Sequence, residues 1–535
     1  MPQPEARTGK MAPKLVLVIV ADQLRADHTG FGGLGFGHTP HLDSIAERGT
    51  VFERAHATNP SCMPSRASLA TGRWPSVHGT RTNGIPLDPS AETVMTSLAA
   101  AGWICAAVGK LHLQTLGWPF EQHQLDEIAT TNPWSHDNRP NAAGRDLDVD
   151  LEWENIARHR AELVPLPADY YGFSSVDLVS GHGDGASGHY WHWLLEHGVD
   201  PAALAGFANS PNPSSLWSEV WETAMPAELS TSSYVAQRSV EQIERAAERD
   251  DPTFILASFP DPHHPFCPPA EYASLIDPAD VELPASFHQD PEGLAPHVRL
   301  MLERRGTPNL DSTITFAITE AQYREAMVAQ LGLIKMLDDA VGRIMAAVEA
   351  AALTDETAVI FTADHGDHFG DHGLILKQLV HYEAVTRVPL VVTGTGAVAP
   401  RSNALVSNAD VAPTILDIAG VDHFRGIQGR SLQPVLGGAV ADHRDAVLVE
   451  EDMPIGVEGL PAPVRIRTLI ADSGRLTLYH GHGIGELYDF DSDPTEQSNR
   501  YDDAGARPLQ NGLQERLAYE VIDLADVGRR VIDGA

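Results

Sequence analysis

Cysteine is scarce. The 535 residues hold three, Cys62, Cys105 and Cys267, too few and too scattered for a disulfide framework. Positive charge is short as well: 37 Lys and Arg stand against 73 Asp and Glu, a formal charge of −36. Such a polyanion is repelled by nucleic-acid phosphates and anionic lipid, so no nucleic-acid partner and no membrane surface are expected. Long apolar runs are missing too. The longest aliphatic run, Leu15–Ala21, falls far below the ~20 residues a membrane-spanning helix needs. The N-terminal stretch has no apolar segment leading to a small-residue cleavage site, so a cytoplasmic location is the expectation. The hydrophobic share of 43% and charged share of 21% are ordinary globular values, which excludes disorder over the whole chain.

What is present is a strand–helix rhythm. Residues 1–13 carry three prolines and no apolar period, and read as a flexible leader. Leu15–Ala21, Trp103–Val108, Thr253–Phe259 and Ala358–Ala363 are short apolar runs of the kind that form strands buried on both faces. Between them lie helical periods, clearest in Leu331, Ile334, Leu337, Val341, Ile344 and Val348, which share one helix face. The alternation predicts an α/β fold over residues 14–440: a large, mostly parallel sheet sandwiched by helices. Residues 118–230 break the rhythm with seven of the nine tryptophans and Pro/Gly-rich stretches, and read as an irregular insertion over one sheet edge. Over 441–535, RIRTLIAD, GRLTLYHG and ELYDFDSDP read as three short strands and Leu509–Val531 as a helix. They predict a small C-terminal antiparallel α+β subdomain.

The chemistry gathers where the strands end. Asp22-Gln23, Gly109-Lys110-Leu111-His112, Asp261-Pro262-His263-His264 and Asp364-His365 each follow a predicted strand. In an open parallel sheet, ligands bind outside those carboxyl ends. CMPSRASLATGR, residues 62–73, starts a helix with Pro64 in its first turn and stops it at Gly72. A helix start is a ready anion site, and a cysteine there is a thiol of lowered pKa, a candidate nucleophile. Cys105 reads as buried filler and Cys267 as a bystander. GHGDG, 181–185, lacks the helix and lysine of a phosphate loop and reads as a plain loop. Trp191-His192-Trp193 is equally readable as a sugar-stacking wall or as core packing.

CMPSR followed by ASLATGR resembles the formylglycine signature of the type I sulfatases of the alkaline phosphatase superfamily. ADQLRADHTG, VGKLHL, DPHHPF, FTADHGDHFGDHGLILK, TRVPLVV and ELYDFDSDPTEQSN resemble further blocks of that family in the same order, over roughly residues 14–500. The resemblance implies that Cys62 is converted to formylglycine (3-oxoalanine) by a maturation enzyme. Its hydrate would be the nucleophile. The resemblance also implies one divalent cation, Ca²⁺ or Mn²⁺, held by Asp22, Gln23, Asp364, His365 and a hydroxyl at position 62. Arg66 would hold the hydrate, Lys110, His263 and Lys377 the sulfate oxygens, and His112 would act as base. Asn83 is a further candidate contact to sulfate or hydrate.

Many sulfatases carry Asp-Asp and Asp-Asn where this chain has Asp22-Gln23 and Asp364-His365, so the cation meets fewer carboxylates and one imidazole. That set resembles the choline-sulfatase and phosphonate monoester hydrolase branches, and the GKLHL block resembles the sulfatases of the two. The expected function is hydrolysis of a small alkyl, aryl or sugar sulfate monoester. The alternatives are a phosphonate monoester or phosphodiester hydrolase on the same scaffold, and a silent module that binds sulfated glycans. Whether copies of the chain form a homo-oligomer is open.

Overall fold

Leu15–Ala21 forms β1, and all seven of its side chains are buried, as both faces of a central strand must be when helices cover them. The structure, a computed structural model, describes residues 12–118, 122–131, 150–307, 314–396, 399–526 and 528. The leader at 1–13 lies almost wholly outside these. Along the chain follow β2 (Gly49–His56), α1 (Cys62–Thr71), β3 (Ile104–Gly109), β4 (Ser175–Ser180), β5 (Ser187–Gly188), α2 (Thr231–Ala247), β6 (Thr253–Ser258), α3 (Glu320–Ala350), β7 (Thr357–Ala363), β8 (Leu390–Thr393) and β9 (Arg401–Ser407). The strands make one nine-stranded sheet in the order β9-β2-β8-β7-β1-β6-β3-β4-β5. Only β8 and β5 run antiparallel to their neighbours. The fold is the mostly parallel α/β sheet with helices that the pattern predicts.

Register positions the chemistry. Ala21 pairs with Ala363, Val20 with Ser258, and Gly109 with Ser258. Four strands therefore end in one row, and the residues after them emerge side by side. The tight row needs glycine at 109: its φ is +102°, and a Cβ there would lie 1.8 Å from the Ser258 carbonyl oxygen.

Residues 118–230 correct the picture of an insertion lying over the sheet. They supply β4 and β5, which extend the sheet itself. Both strands are short and flanked by glycines, which hides their period. Trp191 and Trp193 lie on the helix His189–Glu196, and Trp193 packs edge-on against Tyr234 of α2, so packing accounts for that trio.

The C-terminal sheet has four antiparallel strands, β10 (Ala446–Met453), β11 (Val464–Ala471), β12 (Gly474–Tyr479) and β13 (Ile484–Asp489), backed by α4 (Arg507–Asp523). Leu448, Leu469, Leu476 and Leu487 meet Leu513 and Leu517 of α4 in a core of their own. The first strand, AVLVEEDM, carries three successive acids and was not among the three expected. The end of the predicted helix, 529–531, lies outside the described residues. No described helix is long and apolar enough to cross a membrane.

Candidate active site

Helix α1 begins at Cys62, with Ser61 in extended conformation before it and Gly72 closing it at φ +62°. The thiol thus sits at the partly positive end of a helix. Cys62 Sγ lies 3.2 Å from His365 Nε2, 3.2 Å from Lys377 Nζ and 3.8 Å from Asp22 Oδ1. Burial and Asp22 push its pKa up, but Lys110, Lys377 and His365 outweigh them and hold it well below the usual thiol range. Asn83 Oδ1 accepts the Met63 N–H at 3.1 Å, so this side chain caps the same helix start one residue from the thiol.

Arg66, one turn into α1, ties the strand ends together. Its Nε donates to Asp364 Oδ2 at 2.8 Å, and Nη1 donates to the Lys110 carbonyl at 2.9 Å and to Ser258 Oγ at 2.8 Å. Its Nη2 faces Asp22 Oδ2 at 3.3 Å. The other oxygen of Asp364 accepts the N–H groups of Gln23 and His365 at 3.0 and 2.9 Å. Burial alone would raise the Asp22 carboxyl, yet Lys110, Arg66, His182 and Lys377 hold it well below the usual carboxylate range.

Gln23 adopts φ +58°, and its NH₂ group is taken by Asp367 and, at 3.3 Å, by His264. Asp367 is itself fixed by the N–H groups of Phe369 and Leu376. The amide therefore cannot flip, and Oε1 points inward to Lys377 Nζ at 2.7 Å. His365 uses Nδ1 on the Gly366 carbonyl at 2.9 Å, which leaves Nε2 facing the thiol. His263 likewise uses Nδ1 on the His264 carbonyl and accepts from Lys377 on Nε2 at 2.7 Å.

Asp22, Cys62, Asp364 and His365 offer ligand atoms all within 4.8 Å of one another, a set that fits a divalent cation. The Lys377 ammonium stands among Gln23 Oε1, Cys62 Sγ and His365 Nε2. The pocket thus already suits positive charge, and two carboxylates, an amide oxygen and an imidazole are a donor set for Ca²⁺ or a harder transition ion.

On the other flank, Lys110 Nζ pairs with Asp22 and reaches His182 Nε2 at 2.5 Å. His112 is buried at φ +53°. Glu154 grips its loop: the carboxylate accepts the N–H groups of His112, Leu113 and Gln114 at 2.6, 2.9 and 3.0 Å. Three successive N–H groups around one anion make a nest. Burial, then Lys110 and Arg66, hold the imidazole well below its ordinary pKa, so it is uncharged at neutral pH.

All the residues singled out in the sequence meet at this rim, with Asn83 at its helix start. His264, named with its strand end, lies there too. Three others were not foreseen. Asp367 sits beside named residues in its own motif. His182 lies inside GHGDG, and Glu154 in LEWENI has no local signal at all.

Fold and site together define a hydrolase of the alkaline phosphatase superfamily. The sulfatase family profile matches residues 14–421, and the C-terminal profile of N-sulphoglucosamine sulphohydrolase matches 370–522. The chain belongs to the sulfatase family. It is 25% identical to the choline-sulfatase of Rhizobium meliloti over 90% of this chain and 81% of that one. It is 27% identical to PehA of Trinickia caryophylli, a multifunctional alkaline phosphatase superfamily protein, over 83% of this chain and 81% of that one. Its fold matches the phosphonate monoester hydrolase of Agrobacterium radiobacter with a TM-score of 0.73 at 24% identity, covering 96% of each chain.

Proposed function

We propose that the protein hydrolyses sulfate monoesters at position 62 after Cys62 has become formylglycine. The carrying observation is the Cys62 side chain at a helix start, 3.2 Å from both Lys377 and His365 and bordered by Asp22. A divalent cation held by Asp22, Gln23, Asp364, His365 and an oxygen at position 62 would lower the pKa of that oxygen and neutralise charge on the group transferred. The other residues divide the remaining work. Lys110, Lys377 and His263 bind the sulfate oxygens, and their buried positions make each hydrogen bond count for more than in water. Arg66 holds the two carboxylates in place. His112, kept neutral by its surroundings, takes the proton whose loss releases sulfate.

Sulfate monoesters and phosphonate monoesters both carry one negative charge, so charge alone does not choose between them. The choice of sulfate rests on the paired Lys110 and His112. Two measurements test it. Intact-mass analysis should find the Cys62 peptide lighter by about 18 Da in active protein. A nitrophenyl sulfate should then be turned over with a higher kcat/KM than a nitrophenyl phosphonate ester. The reverse preference overturns the sulfate reading, and full activity with unmodified Cys62 overturns the mechanism.

A further inference from the structure

Two ammoniums border position 62, and each meets an imidazole. Lys377 Nζ lies 2.7 Å from His263 Nε2, and Lys110 Nζ lies 2.5 Å from His182 Nε2. The two rings stack on each other, with centroids 3.6 Å apart and planes 11° apart. Lys110, His182, His263 and Lys377 thus form one continuous row, and the ring stack sets how far apart the two ammoniums stand. His182 also hydrogen-bonds Cys62. Resting on the sulfatase reading above, we infer that His182 is a positioning residue for the sulfate group. It acts through Lys110, holding that ammonium with one N–H turned to the ester and in step with Lys377.

An ammonium has three N–H groups and no lone pair, so His182 Nε2 accepts from Lys110 and carries no proton of its own. The ring is therefore a support for a cation, not a further cation for the sulfate. Asp22 and His182 engage two of the three N–H groups, which leaves the third for a sulfate oxygen. Without the imidazole, Asp22 is the one anchor left, and the ammonium can swing about it. The loop is built to deliver this ring. β4 lies beside β3, with Leu178 paired to Gly109, so Gly181-His182 extends the row of strand ends. Gly183 has φ +58°, and a Cβ on it would lie 2.8 Å from Pro265 and 3.0 Å from the Cys267 sulfur. Glycine there lets the His182 loop press onto the His263 loop. Asp184 then anchors it, accepting from Gly206, Trp221 and Thr223. The other histidines of residues 150–230 behave differently. His159, His189, His192 and His197 each bond a main-chain carbonyl, as packed histidines do, whereas His182 bonds side chains of the site.

The test uses the mature, metal-loaded enzyme with nitrophenyl sulfate as substrate and inorganic sulfate as inhibitor. His182→Ala should raise KM and the sulfate inhibition constant together by roughly 10-fold, the worth of one charge-assisted hydrogen bond. kcat should stay within about 3-fold, because the loss falls on binding. His182→Gln, whose Oε1 can accept from Lys110, should recover most of the loss. His182→Phe keeps the stack but offers no lone pair, and should not recover it. In a Lys110→Ala background, His182→Ala should add less than about 2-fold, since the group it acts through is gone. Recovery by Phe rather than Gln, a fall in kcat with KM unchanged, or additive losses in the double variant would each overturn the role and leave the sulfatase reading intact. If phosphonate esters alone are turned over, the sulfatase reading fails instead. The same variants then decide the role of His182 on a nitrophenyl phosphonate ester.

Discussion

Asp22 and Asp364 stand one residue past a paired row of two adjacent parallel strands, whereas His112 and Lys377 stand on loops gripped by carboxylates from elsewhere. The first pair inherits its spacing from the sheet, since Ala21 and Ala363 are register partners. The second pair is held by Glu154, from the 118–230 region, and by Glu451, on β10. These loops are conformationally costly. His112, Leu376, Gln378 and Leu379 all have φ between +53° and +78°, each worth about 1–2 kcal/mol against an L side chain. The carboxylate grips offset that cost. The carboxylate half of the rim is thus a property of the sheet, and the half that carries His112 and Lys377 depends on contacts that arrive from far along the chain.

The sharpest contrast is expected within the sheet-borne half. Cys62→Ala should abolish turnover while the thermal midpoint stays within a few degrees, because a small buried thiol gives way to a methyl group. Asp364→Ala should also abolish turnover, but at a further cost of about 3–5 kcal/mol of stability, since the buried Arg66 guanidinium loses the nearer of its two carboxylate partners. Turnover assays and thermal melts on both variants check this. Equal melting of the two would break the idea that Asp364 is structurally tied to the sheet ends.

On the loop-borne half, His112→Ala should release one equivalent of alcohol per site and then turn over at least ~100-fold more slowly, with sulfate retained on the position-62 peptide. The same residue sets a pH dependence. Its pKa is lowered by burial and by the lysine and arginine beside it, and a base works only above its own pKa. The acid limb of kcat should therefore fall below the ordinary imidazole value of about 6.5. A limb at or above it would show that the base lies elsewhere.

What could be read in advance follows the same division. Motifs at strand ends are local, so the sequence pattern alone puts Asp22-Gln23, Lys110-Leu111-His112 and Asp364-His365 on one rim. Glu154 is not placed that way. It is one acid among 73, and only the fold brings it to three N–H groups some forty residues away. His182 was obscured by its neighbours, because the glycines of GHGDG signal a loop whether or not the histidine between them does chemistry. The first strand of the C-terminal sheet was hidden by Glu450, Glu451 and Asp452, which look like a solvated run. Glu450 and Glu451 are buried against Arg467 and His381.

Glu154→Gln is the next step down in size. Oε1 accepts from Leu113, Gln114 and Tyr170, and Oε2 from His112 alone. A glutamine whose oxygen replaces Oε1 keeps the three bonds but turns an NH₂ group toward the His112 N–H. One donor is then buried without a partner, at a cost of about 1–3 kcal/mol. That strain falls on His112, the base proposed above, so kcat should drop about 10-fold with KM for the sulfate ester nearly unchanged, if half of it reaches the transition state. A rise in KM without a fall in kcat would show that the nest positions Lys110 rather than His112.

Glu451→Gln should have the smallest effect, because here the geometry spares the substitution. Oε2 alone accepts from Leu379 N at 2.8 Å and from His381 Nε2 at 3.0 Å, while Oε1 is buried with no partner. A glutamine can keep its oxygen on the bonded side and place its NH₂ where nothing was satisfied. It loses only the charge on two hydrogen bonds, about 1 kcal/mol. Leu379 follows Lys377 by two residues, and Gln378 between them is held by its own bond to Ser61 Oγ at 2.7 Å. The loop therefore keeps a second anchor beside the lysine. KM for the sulfate ester should rise no more than about 3-fold, with kcat and its acid limb unmoved. Glu451→Ala, which frees both donors, should raise KM further, since the ammonium of Lys377 would lose its fixed place among Gln23, His263 and His365. If Glu451→Gln instead cost as much as Glu154→Gln, the two grips would be equivalent, and the asymmetry between one shared oxygen and two engaged oxygens would carry no energetic weight.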